Sequence, residues 1–263
     1  VNRYLAEVAY SGSGFSGLQR QPGRRTVQGD FEEALSALGT GGSFAAAGRT
    51  DAGVHARRMP VSFDLARDWP GERLLRALNA HLPPDVRVLR CAAVEGTFHA
   101  RFRAREREYR YFFWSAPACP PFFRPYVHPV SPRWDERAAD RAARALEGRH
   151  DFSAFCRPGD RPPDPFRTVR AIRVRRRGAL IVLSVRGDGF LTNMVRLMGG
   201  LLDRIARGRA PEERTAEVLR GRVGCGAILP PEGLFFWRAL YDPSPWGGSS
   251  GGRRSPGEGE ALQ

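Results

Sequence analysis

Glycine, arginine and aspartate come together in one short polar stretch, Gly48-Arg49-Thr50-Asp51-Ala52-Gly53-Val54-His55-Ala56. It lies between a small apolar run, Phe44 to Ala47, and an alternating segment, Met59-Pro60-Val61-Ser62-Phe63. The pattern predicts a loop between two strands. Chemistry is usually placed on such loops, because a rigid scaffold aims their side chains. A guanidinium two residues away favours the charged form of a carboxylate. A carboxylate fixed in that way acts as a nucleophile or a base. By residue type alone, the same stretch also reads as a connecting turn, with Asp51 capping the backbone and Arg49 as its surface partner.

Two further segments carry chemistry-bearing residues. Phe98-His99-Ala100-Arg101 precedes an aromatic run in which Arg105, Arg107 and Arg110 interleave with Tyr109 and Tyr111. A cationic, aromatic surface suits base stacking and phosphate binding. Tyr109 also reads as an ordinary core aromatic, and Glu106 and Glu108 dilute the positive charge. Gly189-Phe190-Leu191-Thr192-Asn193-Met194-Val195-Arg196 opens an apolar helix, and Arg196 on its own reads as an exposed helix arginine. Gly12, Gly14 and Gly17 spell G-x-G-x-x-G after a strand, with Glu32 about 20 residues on, the spacing of a dinucleotide fingerprint. That motif needs a helix opening at the glycines to hold a pyrophosphate, and Gln21-Pro22-Gly23 interrupts any such helix.

Composition narrows the options. The chain has 263 residues, 42 basic against 28 acidic, and a formal net charge of +14. Every basic residue is arginine, which forks onto phosphate and stacks on bases, so the surface suits nucleic acid. Without lysine there is no P-loop lysine, no Schiff base and no pyridoxal-phosphate anchor. Cys91, Cys119, Cys156 and Cys225 are scattered without a C-x-x-C pair, which argues against a zinc site. No long apolar run predicts a membrane span, and no signal-peptide pattern is seen, so a cytoplasmic protein is expected.

These residues must be held by strands and helices. Strands are predicted at Arg3 to Tyr10, Arg58 to Leu65, Val86 to Val94, Arg105 to Trp114 and Leu234 to Tyr241. Thr168 to Arg175 and Ala179 to Arg186 read as a hairpin. Helices are predicted at Thr26 to Leu38, Glu72 to Leu82, Asp135 to Leu146, Leu191 to Arg207 and Pro211 to about Arg220. A proline-rich connection covers Pro117 to Pro132, and a long polar loop covers Gly148 to Phe166. Hairpins among the alternating elements favour an α+β mixed sheet over a doubly wound parallel one. Ser11-Gly12-Ser13-Gly14-Phe15 and Arg186-Gly187-Asp188-Gly189-Phe190 weakly echo each other after a strand; two similar α/β halves sharing a sheet would explain this, and chance explains it more simply.

The nine residues GRTDAGVHA resemble the catalytic loop of the tRNA pseudouridine synthases of the TruA family. F-H-A-R followed by A-R-x-x-x-Y-R-Y, and the segment Gly189 to Arg196, resemble the family's second and third signatures. Phe15, Gly17, Gln19 and Thr26-Val27-Gln28 resemble its opening segment. Arg222 to Leu234 follows its closing pattern loosely, with Cys225, Ile228 and Leu229 in place of small and hydroxyl residues. The resemblance runs from Arg3 to Tyr241. It implies two similar α/β halves with mostly antiparallel sheets around a central basic cleft: residues 1–104 carrying the Asp51 loop, residues 105–242 completing the cleft, and a flexible tail over 243–263. It implies isomerisation of uridine to pseudouridine at positions 38, 39 and 40 of the tRNA anticodon stem and loop, by a homodimer without cofactor or metal. Asp51 is the implied nucleophile. Attack on the ribose C1′, addition to the uracil ring and removal of a ribose proton all stay open as its step. The resemblance also implies that Tyr109 packs on the target base, and that Arg49 and Arg196 orient Asp51 and hold phosphate. Two other readings stay open: a non-catalytic RNA-binding protein, and a nucleotide-dependent oxidoreductase, which needs a helix directly after Gly17.

Overall fold

The structure, a computed structural model, describes residues 2–39 and 44–246. Among these residues, ten strands form one mixed, mostly antiparallel sheet, and five α-helices accompany it, an α+β architecture. The strands are β1 (Asn2–Tyr10), β2 (Phe44–Ala46), β3 (His55–Leu65), β4 (Val86–Ala93), β5 (Ala104–Trp114), β6 (His128–Pro129), β7 (Gly148–Asp151), β8 (Phe166–Arg177), β9 (Leu180–Gly187) and β10 (Leu234–Tyr241). Their order across the sheet is β4-β1-β3-β10-β5-β9-β8-β7, with β2 paired to β3 and β6 to β5.

The last strand joins the early strands to the late ones. β10 runs antiparallel to β5 over most of its length. Its start runs parallel to β3 through Phe235 beside His55 and Phe236 beside Ala56. The Asp51 loop therefore ends at the sheet position where β3 meets β10.

Helices α1 (Val27–Ala37), α2 (Gly71–His81), α3 (Glu136–Arg144), α4 (Met194–Ala206) and α5 (Arg214–Leu219) bury apolar stripes. In α1 the Thr26 hydroxyl accepts from the Gly29 amide at 3.2 Å, satisfying an otherwise unpaired donor of the first turn. Phe31, at a helical spacing from Val27, Ala34 and Leu35, packs edge-on to Phe63 of β3 at 5.4 Å. Burying a phenylalanine of this kind contributes about 1.5–3 kcal/mol. Helix α4 is lined by Met194, Leu197, Met198, Leu201 and Ile205, all buried.

Several predicted boundaries shift. β3 begins at His55, three residues before the expected start. The loop predicted from Gly148 contains β7, whose ladder to β8 its polar sequence Gly-Arg-His-Asp did not signal. Pro211 does not open α5. Pro211 to Glu213 form a turn and the helix starts at Arg214. α4 starts at Met194 rather than Leu191, because Asn193 takes a left-handed φ of 62° at the N-cap. Of the predicted tail, residues 247–263 lie outside the described residues, while Trp246 packs beneath the Arg90 guanidinium at 4.7 Å. Among the described residues, no helix is long and apolar enough to cross a membrane.

Candidate active site

The Asp51 loop is clamped from below by the segment that follows β1. The Leu18 amide donates to the Thr50 carbonyl at 3.1 Å, and the Tyr10 and Thr50 hydroxyls share a buried hydrogen bond of 2.7 Å. His55 adds a third tie. Its Nδ1 accepts from the Gly12 amide at 3.0 Å, so Nε2 carries the proton and donates to the Pro125 carbonyl, also at 3.0 Å.

Close approach explains two of the glycines in the G-x-G-x-x-G string. A Cβ on Gly12 would lie 2.1 Å from the Val54 carbonyl oxygen, and one on Gly17 would lie 2.9 Å from that of Thr50. Gly17 also has φ +100°, which side-chain-bearing residues rarely adopt. After β1 comes a short 3₁₀ turn at Gly12–Gly14, and no α-helix opens before Val27. These glycines seat the Asp51 loop, and the first amides of α1, Val27 and Gln28, are spent on the Gly17 and Leu18 carbonyls at 3.3 and 2.9 Å rather than free to hold a pyrophosphate.

A cavity of about 370 Å³ opens above the loop. Its lining includes Asp51, Arg49, Arg107, Tyr109, Asp188 and Phe190. Arg196 meets Asp51 at its edge, with Nη1 lying 3.4 Å from Asp51 Oδ2. The Arg196 guanidinium is otherwise locked. Nε donates to the Leu229 carbonyl at 2.7 Å and Nη1 to Asn193 Oδ1 at 2.9 Å. The strained φ of Asn193 is therefore held where its side chain fixes Arg196, a common location for such strain. The Asp51 side chain keeps 38% of its surface exposed, while that of Arg196 keeps 13%. The pair thus presents an accessible carboxylate beside a nearly buried, pre-aimed cation.

The Tyr109 ring forms part of the cavity wall, edge-on to Phe190 at 5.1 Å and Phe236 at 5.2 Å. Burial raises the Tyr109 phenol pKa, opposed by Arg107 and helped by Asp51, so the hydroxyl stays protonated. It points to the Arg49 carbonyl at 3.5 Å, a long contact. A Cβ on Gly48 would sit 3.3 Å from the Tyr109 oxygen and 3.1 Å from the Phe236 ring, so only glycine fits there easily. Arg49 behaves differently from Arg196. Its side chain is exposed at the cavity mouth and does not form an ion pair with Asp51.

The aromatic strand does not present one cationic surface. Successive side chains alternate across a strand, which turns Arg110 away from the other four, and those four meet different partners along the strand. Arg110 pairs with Glu108 at 2.8 Å and lies over the Trp237 ring at 4.0 Å. Arg105 pairs with Asp242 at 2.7 Å. Tyr111 is fully buried and donates to the Pro230 carbonyl at 2.9 Å. Only Arg107 and Tyr109 of the five line the cavity. Arg107 spends its donors on backbone carbonyls: Ala47 at 3.1 Å, Ala104 at 2.9 Å, Asp188 at 2.7 Å and Arg101. It stitches three cavity walls together, a role that its place in an arginine-rich run concealed.

The closing segment also matters more than its loose pattern implied. A Cβ on Gly200 would fall 1.8 Å from the Ala227 carbonyl oxygen, and one on Gly199 2.6 Å from Leu229 Cδ1. The glycine pair lets the 227–229 backbone lie against α4, which puts the Leu229 carbonyl where Arg196 Nε reaches it.

Known proteins resemble this chain over most of its length. A family model described as tRNA pseudouridine synthase matches residues 142–242. A protein named tRNA pseudouridine synthase A from Halalkalibacterium halodurans is 41% identical over 243 residues, covering 91% of this chain and 92% of the relative. Proteins of the same name from Geobacillus kaustophilus and Roseobacter denitrificans are 41% and 37% identical over 248 and 254 residues. Those two alignments cover 92% and 94% of this chain, and 95% and 98% of the relatives. Identity at this level over 91% of the chain shows that it belongs to the tRNA pseudouridine synthase family, isomerases that act on tRNA.

Proposed function

We propose that the chain isomerises uridine to pseudouridine at positions 38, 39 and 40 of the tRNA anticodon stem and loop, with Asp51 as the catalytic nucleophile. The observation that carries this reading is the meeting of Asp51 and Arg196, 145 residues apart, at the edge of a cavity walled by Tyr109. The reaction breaks the C1′–N1 bond, rotates the freed uracil and forms a C1′–C5 bond. The C5 proton is lost and N1 gains one, so no electrons are transferred. An accessible carboxylate suits attack on an electrophilic carbon.

Arg196 holds the Asp51 carboxylate in one orientation, and Tyr109 offers its ring to the base. A uridine in a stem must leave its stack to enter the cavity. Arg49, exposed at the mouth and without a carboxylate partner among the described residues, would hold the displaced phosphate. This reading divides the chain into residues 1–104, which carry the Asp51 loop, and residues 105–242, which supply Tyr109 and Arg196. It also carries a homodimer in which one tRNA contacts both subunits. The residues proposed for the reaction, Asp51, Tyr109, Arg49 and Arg196, require no cofactor. The +14 net charge matches a polyanionic substrate, whose binding weakens steeply with salt.

The test is pseudouridine formation on unmodified anticodon stem-loops bearing a single uridine at position 38, 39 or 40. Wild-type protein should convert all three. Asp51→Asn should abolish conversion and leave RNA affinity nearly intact, because phosphate contacts rather than one carboxylate supply that affinity. Substantial turnover by Asp51→Asn would remove Asp51 from the mechanism. Tight binding by wild-type protein with no conversion of any stem-loop would favour a binding protein.

A further inference from the structure

A second, shallower groove of about 200 Å³ opens beside the first cavity. Gly48, Arg49 and Arg101 line both, so the two share one rim. Gln19, His99 and Phe102 stand in the second groove. Phe102 is 77% exposed, the most exposed large hydrophobic side chain among the described residues. It is nonetheless held in place. Its ring packs against His99 at 4.2 Å, and the turn beneath is closed by the Arg103 amide donating to the His99 carbonyl at 3.0 Å. The Arg101 amide donates to His99 Nδ1 at 3.2 Å, and the Arg101 carbonyl accepts from Arg107.

Burying a phenylalanine ring contributes about 1.5–3 kcal/mol, and this ring forgoes that in the free protein. The Arg49 and Arg101 side chains are both exposed, and neither forms an ion pair among the described residues. A fixed aromatic platform beside two unneutralised guanidiniums is the combination that holds an unstacked nucleotide. The shared rim sets the relation to the first cavity. A phosphate held between Arg49 and Arg101 would link a nucleotide in one cavity to its neighbour in the other. Extruding a uridine also deprives its neighbour of a stacking partner, and Phe102 would replace it.

We propose that this groove is a subsite for the nucleotide adjoining the target uridine, its base stacked on Phe102 and the linking phosphate between Arg49 and Arg101. The inference rests on the pseudouridine synthase reading of the first cavity. The test measures the affinity of wild type, Phe102→Ala and Phe102→Trp for an anticodon stem-loop. The same RNA is then made abasic on the 5′ or the 3′ side of the target uridine. Phe102→Ala should weaken binding of the intact RNA by roughly 5- to 150-fold, the range for one base–aromatic stack, while Phe102→Trp preserves it. One of the two abasic RNAs should bind wild type more weakly by a similar factor and show no further loss with Phe102→Ala.

Because the ring is exposed, Phe102→Ala should melt at the wild-type temperature. Affinity of Phe102→Ala within about twofold of wild type would overturn the subsite, as would losses that simply multiply. If Phe102→Ala changes only the sedimentation of the free protein, the ring belongs to a contact between copies and the subsite is wrong. Conversion of the intact RNA by wild type is scored in parallel. Failure there would count against the pseudouridine reading, whereas the binding cycle reports on the groove by itself.

Discussion

The Tyr10 and Thr50 hydroxyls lie 2.7 Å apart, both buried, immediately behind the residue that carries the candidate carboxylate. One belongs to the first strand and the other to the loop, so this bond ties the Asp51 loop to the end of β1. Burial raises the pKa of the Tyr10 phenol, which keeps its proton and can donate.

Removing one member strands the other. Tyr10→Phe and Thr50→Val should each destabilise the protein by about 1–3 kcal/mol, the cost of an unpaired buried hydroxyl. The double substitution should cost less than the sum, because no polar group is then left unpaired. Denaturant unfolding of the four proteins gives the coupling. Strict additivity would mean the hydroxyls do not bond. Each single substitution should also lower kcat more than it raises KM, since the displaced residue next along is Asp51.

Arg196→Ala should lower kcat/KM by roughly 10- to 150-fold, the range for a hydrogen bond to a charged group. Its contact with Asp51 is a single Nη1–Oδ2 approach at 3.4 Å. Arg196→Lys should recover only part of the loss. An ammonium cannot serve Leu229, Asn193 and Asp51 at once through a planar fork. Full recovery with lysine would show that charge alone is needed there. Single-turnover rates on a stem-loop decide the matter.

Much of this site was legible in the residues, but unevenly. The Asp51 loop stood out because glycine, charge and flanking strands coincide in one contiguous stretch. Phe31 and the α4 stripe were legible because helical spacing alone fixes which side chains share a face. The split of Arg105, Arg107 and Arg110 was not. Their partners, Asp242, the carbonyls of Ala47 and Asp188, and Trp237, come from other elements brought alongside by the sheet. Gly12 and Gly17 were ambiguous for the same reason: a glycine demanded by a distant backbone looks identical to one demanded by a phosphate. The Leu229 carbonyl had no side-chain signal at all.

Tyr109→Phe should keep kcat within about threefold of wild type, because the hydroxyl makes only a long contact to the Arg49 carbonyl. Tyr109→Ala should lose base stacking of about 1–3 kcal/mol. It should also lose stability of about 3–5 kcal/mol, because Phe190 and Phe236 both pack on the ring. Comparing the two variants by melting temperature and by turnover separates packing from chemistry. Equal damage to turnover by both variants would give the hydroxyl a chemical role that stacking does not supply.

The acid side of the stability profile should carry the signature of His55. This imidazole is completely buried, and its Nδ1 must be unprotonated to accept from the Gly12 amide. It faces Tyr126 and Phe235, the Pro125 carbonyl and Glu232. Burial lowers its pKa below the ordinary value of 6.5, and the hydrogen bonds and charge from Pro125 and Glu232 only partly oppose this. The unfolded chain therefore binds the proton more readily than the native one. Stability contributed by the neutral ring is complete above pH 6.5 and falls as pH drops from there through the lower, native pKa. Protonation would also oppose two N–H groups at Gly12, loosening the segment that seats Thr50 and Asp51. His55→Gln, whose amide can accept and donate without titrating, should be less stable than wild type at pH 7.5. Between pH 6.5 and 5 it should lose less stability than wild type does. His99 and His128 are also held below their ordinary pKa by burial and are common to both proteins, so the difference between the two curves isolates His55. Parallel curves from thermal unfolding at half-unit pH steps would show that His55 does not titrate across this fold.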